Sequence, residues 1–156
     1  MNPAEKADQR SFVLMRIGRH RFALPARVVA ELAPPVRLHA FPHTSPLIMG
    51  VIVRRGRIVP VYDAATMLVG RASSAQRFYL IARSQIGKTG DSGAIPMNGE
   101  CELATGEMHA PAAGRPAYVA GTLLLGEESV DVLDFAALVA HGLQAGNESH
   151  PMEAQP

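Results

Sequence analysis

The chain has no tryptophan, and aromatic residues fill only 5% of its 156 positions. Stacking platforms for bases therefore have little to be built from. Its single cysteine, Cys101, rules out an internal disulfide, and no histidine accompanies it in a nucleophile motif, so it reads as a packing residue. No apolar run approaches the ~20 residues needed to span a bilayer. Residues 1–10 lack the apolar core of a secretory signal, which makes the cytoplasm the expected compartment and direct membrane insertion unexpected. The histidines His20, His39, His43, His109, His141 and His150 form no HxxxH, HExxH or Cys/His group, so no metal site is expected.

Catalytic patterns are missing as well. No serine sits in a nucleophile elbow. Asp63 and Asp134 each precede a short apolar helix, and capping accounts for them without acid–base chemistry. Residues 82–89 fit a loose P-loop spacing, with Ala82 at the first glycine position and Gly87-Lys88-Thr89 at the end. A phosphate cradle needs a helix next, and Gly90, Gly93 and Pro96 follow instead, so the segment is expected to be a turn between strands. The chain is expected to be no enzyme and to carry no cofactor.

What is present is a 47% apolar composition, enough for one compact unit or two intimately packed subdomains. Charge is unevenly spread along the chain. Residues 10–83 hold twelve arginines against Glu31 and Asp63, whereas residues 84–156 set Lys88 and Arg115 against ten acids. Either the halves neutralise each other across an internal interface, or they form surfaces for acidic and for basic partners.

Residues 50–63, Gly-Val-Ile-Val-Arg-Arg-Gly-Arg-Ile-Val-Pro-Val-Tyr-Asp, read as a β-hairpin with β-branched strands on either side of a turn over 54–57. Val51, Ile52, Ile58, Val59 and Val61 are expected in the core, Gly56 shapes the turn, and three arginines crowd the tip. Pro60 cannot donate to a ladder and is expected at an edge or a strand end. Asp63 suits the N-cap of a helix over 64–69 closed by Gly70. Strands are expected over 11–17 and 20–24, a short helix over 26–32 beginning at Pro25, and a further strand over 36–40. A polar connector over 71–76 leads to strands over 78–82, 93–97, 100–103, 117–125 and 129–133. A last helix over 135–141 is ended by Gly142, and residues 1–10 and 144–156 are expected as flexible tails. Many short strands at close spacing point to small barrels.

The hairpin carries a resemblance. Gly50-Val51-Ile52, Arg55-Gly56, Ile58-Val59-Pro60 and Asp63 resemble the signature GVINLRGxIVPxxD of the CheW-like family, with Val53 and Arg54 in place of its Asn and Leu. Phe22-Ala23-Leu24-Pro25 with Val28, Val29 and Glu31, Phe41-Pro42, Tyr118-Val119-Ala120-Gly121 and residues 130–134 (Val-Asp-Val-Leu-Asp) are similar to further family motifs in the same order; Asn98 stands where the family usually has Asp. The resemblance covers most of the chain, and residues 11–143 are expected to form the domain.

It implies a mainly β fold of two intertwined five-stranded barrels with short helices. It also implies a non-enzymatic adaptor between bacterial chemoreceptors and a histidine kinase of the CheA type. A receptor's helical tip would lie in the groove between the barrels, and the kinase regulatory domain would dock at barrel ends. Arg55 is the leading receptor-contact candidate, since its guanidinium can bind a carboxylate in two places, and Glu31 on the short helix is its implied neighbour. Val28 and Val29 are implied beside the groove. Arg54 and Arg57 read as a solvated face that adjusts partner choice. The alternative from another class is a small-barrel nucleic-acid binder using the arginine-rich first half, although no nucleic-acid partner is expected given so few rings. A specialised family member that binds receptors without the kinase, or serves a pilus or other output, is a third reading.

Overall fold

The computed structural model describes residues 11–40, 42, 45–71, 77–83 and 92–149, without the side chains of 145–149. Among the described residues, eleven strands fall into two sheets. They are β1 (Ser11–Ile17), β2 (His20–Pro25), β3 (Val29–Ala33), β4 (Ile48–Arg54), β5 (Arg57–Tyr62), β6 (Phe78–Arg83), β7 (Ser92–Met97), β8 (Cys101–Thr105), β9 (Met108–His109), β10 (Val119–Leu125) and β11 (Glu128–Leu133). Helix α1 is Ala64–Val69 and α2 is Phe135–Ser149. The first sheet runs β8-β1-β2-β11-β10-β9 and the second β3-β6-β7-β5-β4, so the chain enters the first, builds the second, and returns.

The first sheet's outer strands, β8 and β9, are consecutive pieces of chain separated only by Gly106 and Glu107. Its order therefore runs round to its own beginning. A Cβ at Gly106 would lie 2.6 Å from Leu123 Cδ1, which is why the bend takes a glycine. Counted as one bent strand, β8 and β9 make each sheet five-stranded, in agreement with the expected subdomains.

Strand alternation divides the apolar residues among three cores. Phe12, Leu14, Ala23, Leu123, Val130 and Val132 fill the first sheet. Ile52, Val59, Val61, Tyr79, Ile81 and Ala94 fill the second. The odd-numbered Val13, Met15 and Ile17 turn the other way and meet Leu80, Ile95, Met97, Phe135 and Leu138 between sheets and helices. No polar or charged side chain is buried among the described residues, so apolar burial supplies the cohesion.

The two sheets repeat one design. Gly50 and Gly121, and likewise Asp63 and Asp134, stand 71 positions apart. Each glycine follows a bulge in its hairpin, pairs with a valine (Val61 or Val132), and would carry a Cβ 2.5 Å from a histidine carbonyl, that of His39 or His109. That same valine then joins a parallel neighbour, Ala94 or Ala23. Each aspartate caps the following helix: Asp63 accepts from the Thr66 N–H at 3.2 Å, Asp134 from the Ala137 N–H at 3.0 Å.

Several expectations are corrected. Residues 26–32 do not form a helix: a 3-10 turn covers Ala26–Val28, and Val29 onward becomes β3, paired with β6. Backbone pairing to a buried neighbour and the β-branched Val29 outweigh the start signal at Pro25. Residues 36–40 contribute only a bridge, His39 to Val51, after Pro34 and Pro35. Pro60 lies inside β5, between β4 and β7. It is tolerated because Val51 opposite turns its own N–H and C=O to His39, so β4 asks no donor of Pro60. Gly142 does not end α2, which continues to Ser149, so 144–149 extend the helix; a Cβ there would meet Leu47 Cδ2 at 2.5 Å and Met67 Sδ at 2.6 Å. Close packing, rather than a cap, explains that glycine. Residues 1–10, 41, 43–44, 72–76, 84–91 and 150–156 lie outside the described residues, and with them the expected N-terminal tail, the end of the C-terminal one, most of the connector and most of the P-loop-like turn.

Candidate functional site

The signature hairpin turns on two residues. Arg55 and Gly56 both have positive φ, 53° and 76°, which marks the type I′ turn whose twist matches its strands. Among the described residues Arg55 is the sole non-glycine at positive φ, a conformation that costs an L-residue about 1–2 kcal/mol. The arginine is thus held where asparagine or glycine is the easier choice. Its side chain is 76% exposed.

Glu31 reaches this tip from β3, at the opposite edge of the five-stranded sheet from β4. Arg54 Nε donates to Glu31 Oε1 and Arg55 Nε donates to Oε2 at 3.0 Å. The two edges of the second sheet thereby meet through one carboxylate, where the first sheet continues one strand into the next. Glu31 is 21% exposed and its pKa is lowered: the Arg54 hydrogen bond is the largest cause and Arg55 adds to it, against a rise from partial burial. The Glu31–Arg55 neighbourhood implied by the resemblance is present. Glu31 however sits on a strand rather than a helix, and Arg54, expected as solvated, is the more enclosed partner at 28% exposure. Arg54 lies opposite Arg57 in the ladder, a like-charge pair that the Glu31 carboxylate offsets. Arg57 itself is exposed.

Outside the charges lies an apolar pair. Val53 and Ile58 face each other across the ladder at 54% and 69% exposure. Ile58 was expected in the core, but alternation sends Ile52, Val59 and Val61 inward and Val53 and Ile58 outward. Leu32, next to Glu31, is 50% exposed. Val28 lines a cleft of about 340 Å³ between the sheets, with Pro25, Arg83, Met108, Leu133 and Phe135 among its walls. Arg83 Nη1 donates to the Arg27 carbonyl at 3.0 Å across that rim. Val29 is half-buried and packs against the core between the sheets. The segment from Val28 to Glu31 thus runs from the cleft to the hairpin tip.

Charge is partly neutralised within the chain. Arg21 binds both Glu102 and Glu128, joining the basic first half to the acidic second, and Arg115 binds Asp131. Residues 27–83 nevertheless hold eight arginines against Glu31 and Asp63. Cys101 packs against the central core, where burial pushes its thiol up to about 11 and keeps it protonated at neutral pH. Every ring among the described Phe and Tyr residues is buried or half-buried, which weighs against base stacking beside the arginines.

Sequence reasoning missed the role of Arg54 and the duplicated hairpin. Recurrence of the Gly-to-Asp interval at both hairpins was a legible signal for the second. For Arg54 there was none, since nothing in the sequence places β3 beside β4.

The family model described as CheW-like domain matches residues 11–143. A search of the curated proteins finds no significant match. Among solved structures, the chain is similar to the crystal structure of the scaffolding protein TtCheW from Thermoanaerobacter tengcongensis, with a TM-score of 0.70 at 19% identity over 83% of this chain and 87% of that one. That likeness is one of fold.

Proposed function

Since the chain belongs to the CheW-like domain family, we propose that it is a non-enzymatic cytoplasmic adaptor coupling a chemoreceptor to a CheA-type histidine kinase in a bacterial chemosensory array. The observation that carries this reading is the Glu31–Arg54–Arg55 cluster at the hairpin tip, reached from the inter-sheet cleft through Val28 and Val29. The receptor's helical tip lies along the cleft, with apolar contact at Val28 and charged contact at Arg55. A surface of this kind, apolar with a polar rim, suits reversible protein association. The kinase regulatory domain docks at barrel ends, and signal passes as a change in relative geometry of the bound partners. No reacting group is needed: Asp63 and Asp134 are engaged as helix caps and the Cys101 thiol is protonated.

The test is a pull-down of a chemoreceptor cytoplasmic tip by the wild type and by Arg55→Glu, alongside thermal unfolding of both. Weakened capture by a variant that unfolds like the wild type is expected. Equal capture by the two proteins would sink the assignment of Arg55.

A further inference from the structure

Two arginines share one carboxylate at the hairpin tip, and they are not equivalent. Arg54 is 28% exposed and takes one oxygen of Glu31; Arg55 is 76% exposed and takes the other. With a single arginine at this place, drawing it towards a partner would strand a carboxylate that is itself only 21% exposed, and a partly enclosed charge without its counter-ion is disfavoured. A second, more enclosed arginine removes that penalty. Arg55 donates to Glu31 through Nε alone, and the Nη1/Nη2 fork that grips a carboxylate in two places makes no hydrogen bond among the described residues. Its left-handed backbone places it at the apex of the turn, and beside it stand Arg57 and the exposed pair Val53 and Ile58. Glu31 with Arg54, Arg55 and Arg57 leaves a surplus of two positive charges around an apolar spot.

We infer that Arg54 is a specificity-determining residue: it holds Glu31 unaided, freeing Arg55 to bind a carboxylate on the partner, so that the hairpin selects a protein segment bearing acidic side chains beside an apolar one. This rests on the receptor reading above and adds the chemistry of the partner's contact face. The apolar side chain seats on Val53 and Ile58, and the acids pair with Arg55 and Arg57. Complementary charge at such a rim governs encounter rate and choice of partner. Arg54 acts through Glu31 and is a positioning residue.

The experiment uses the full chain in four forms: wild type, Arg55→Ala, Arg54→Leu and the double variant. Thermal unfolding is measured for each, with affinity for a chemoreceptor cytoplasmic tip at low and high salt. Arg55→Ala is expected to leave the melting temperature within a degree of wild type and to weaken tip binding about tenfold at low salt, with a shallower salt dependence. In the Arg54→Leu background the same change is expected to lower the melting temperature by several degrees and to alter binding less than threefold, because Arg55 is then committed to Glu31. A melting-temperature loss from Arg55→Ala that is the same in both backgrounds overturns the inference, as does an affinity loss independent of Arg54 or of salt. If the wild type binds no receptor tip at all, the receptor reading and the partner half of this inference both fall. The unfolding arm still decides whether Arg54 holds Glu31 unaided.

Discussion

The Glu31 carboxylate accepts a hydrogen bond from Arg54 Nε although β3 and β4 are the two outer strands of the five-stranded sheet. One carboxylate, paired with Arg54 and Arg55, therefore stands at the seam where backbone pairing stops. The same seam carries the exposed Arg55, Val53, Ile58 and Leu32, so the place that ties the second sheet together is also rich in exposed apolar and charged side chains.

Stability should report the seam through pH. Glu31 has a lowered pKa in the folded chain, so its contribution is fully present above the ordinary value of 4.5 and is lost as pH falls through the folded value, once the unfolded chain takes up the proton first. Urea unfolding of wild type and Glu31→Gln from pH 7 to pH 3 is expected to show a constant gap down to about pH 5. Below that the gap closes. A gap that widens in acid would contradict the ion-pair assignment.

Arg55 holds a backbone conformation that asparagine adopts more easily. Arg55→Asn is expected to leave the protein as stable as wild type or to add up to ~1 kcal/mol, since relief of the turn offsets an exposed ion pair of similar size. Receptor capture should fall at the same time. A loss of more than ~1 kcal/mol in denaturant unfolding would show that the arginine serves the fold first.

Gly50 and Gly121 admit a carbonyl oxygen where a side chain would begin. Gly50→Ala and Gly121→Ala each put a Cβ 2.5 Å from backbone oxygen, of His39 and His109 respectively, and that oxygen cannot swing aside as a side chain can. Each is expected to cost about 1–3 kcal/mol, with His39–Val51 amide exchange accelerated in the first variant. Wild-type stability for both would remove the close-approach explanation.

The twin caps should behave alike. Asp63→Ala and Asp134→Ala are each expected to lose about 1 kcal/mol, and the Asn variants to lose less, because an amide oxygen still accepts from the third helical N–H. Denaturant midpoints for the four variants check this.

Local chemistry was legible in residues 50–63. The Arg-Gly turn, the Asp63 cap and the Gly70 terminator follow from φ preferences and short-range hydrogen bonds that need no distant partner. The strands at 11–17, 20–24 and 129–133 were legible for the same reason, their alternation being written into neighbouring residues. Misreadings cluster where a distant partner decides. A proline start signal at 25 and the Pro34-Pro35 stop framed 26–32 as a helix, but pairing with β6 made β3. Gly142 carries a helix-end signal, yet Leu47 and Met67 press on it from elsewhere in the chain and the helix runs on.

By itself the sequence determined most of the strands, their hairpins and the family to which the residues of the signature belong. Those depend on interactions within about a dozen residues, which order along the chain records. Only the tertiary structure decided which β-branched residues of the hairpin face water, since parity against the core picks Val59 over Ile58. It also decided that Arg54 shares Glu31 with Arg55. That contact joins residues 23 positions apart across the open seam of a curled sheet, and no local preference encodes where such a seam will close.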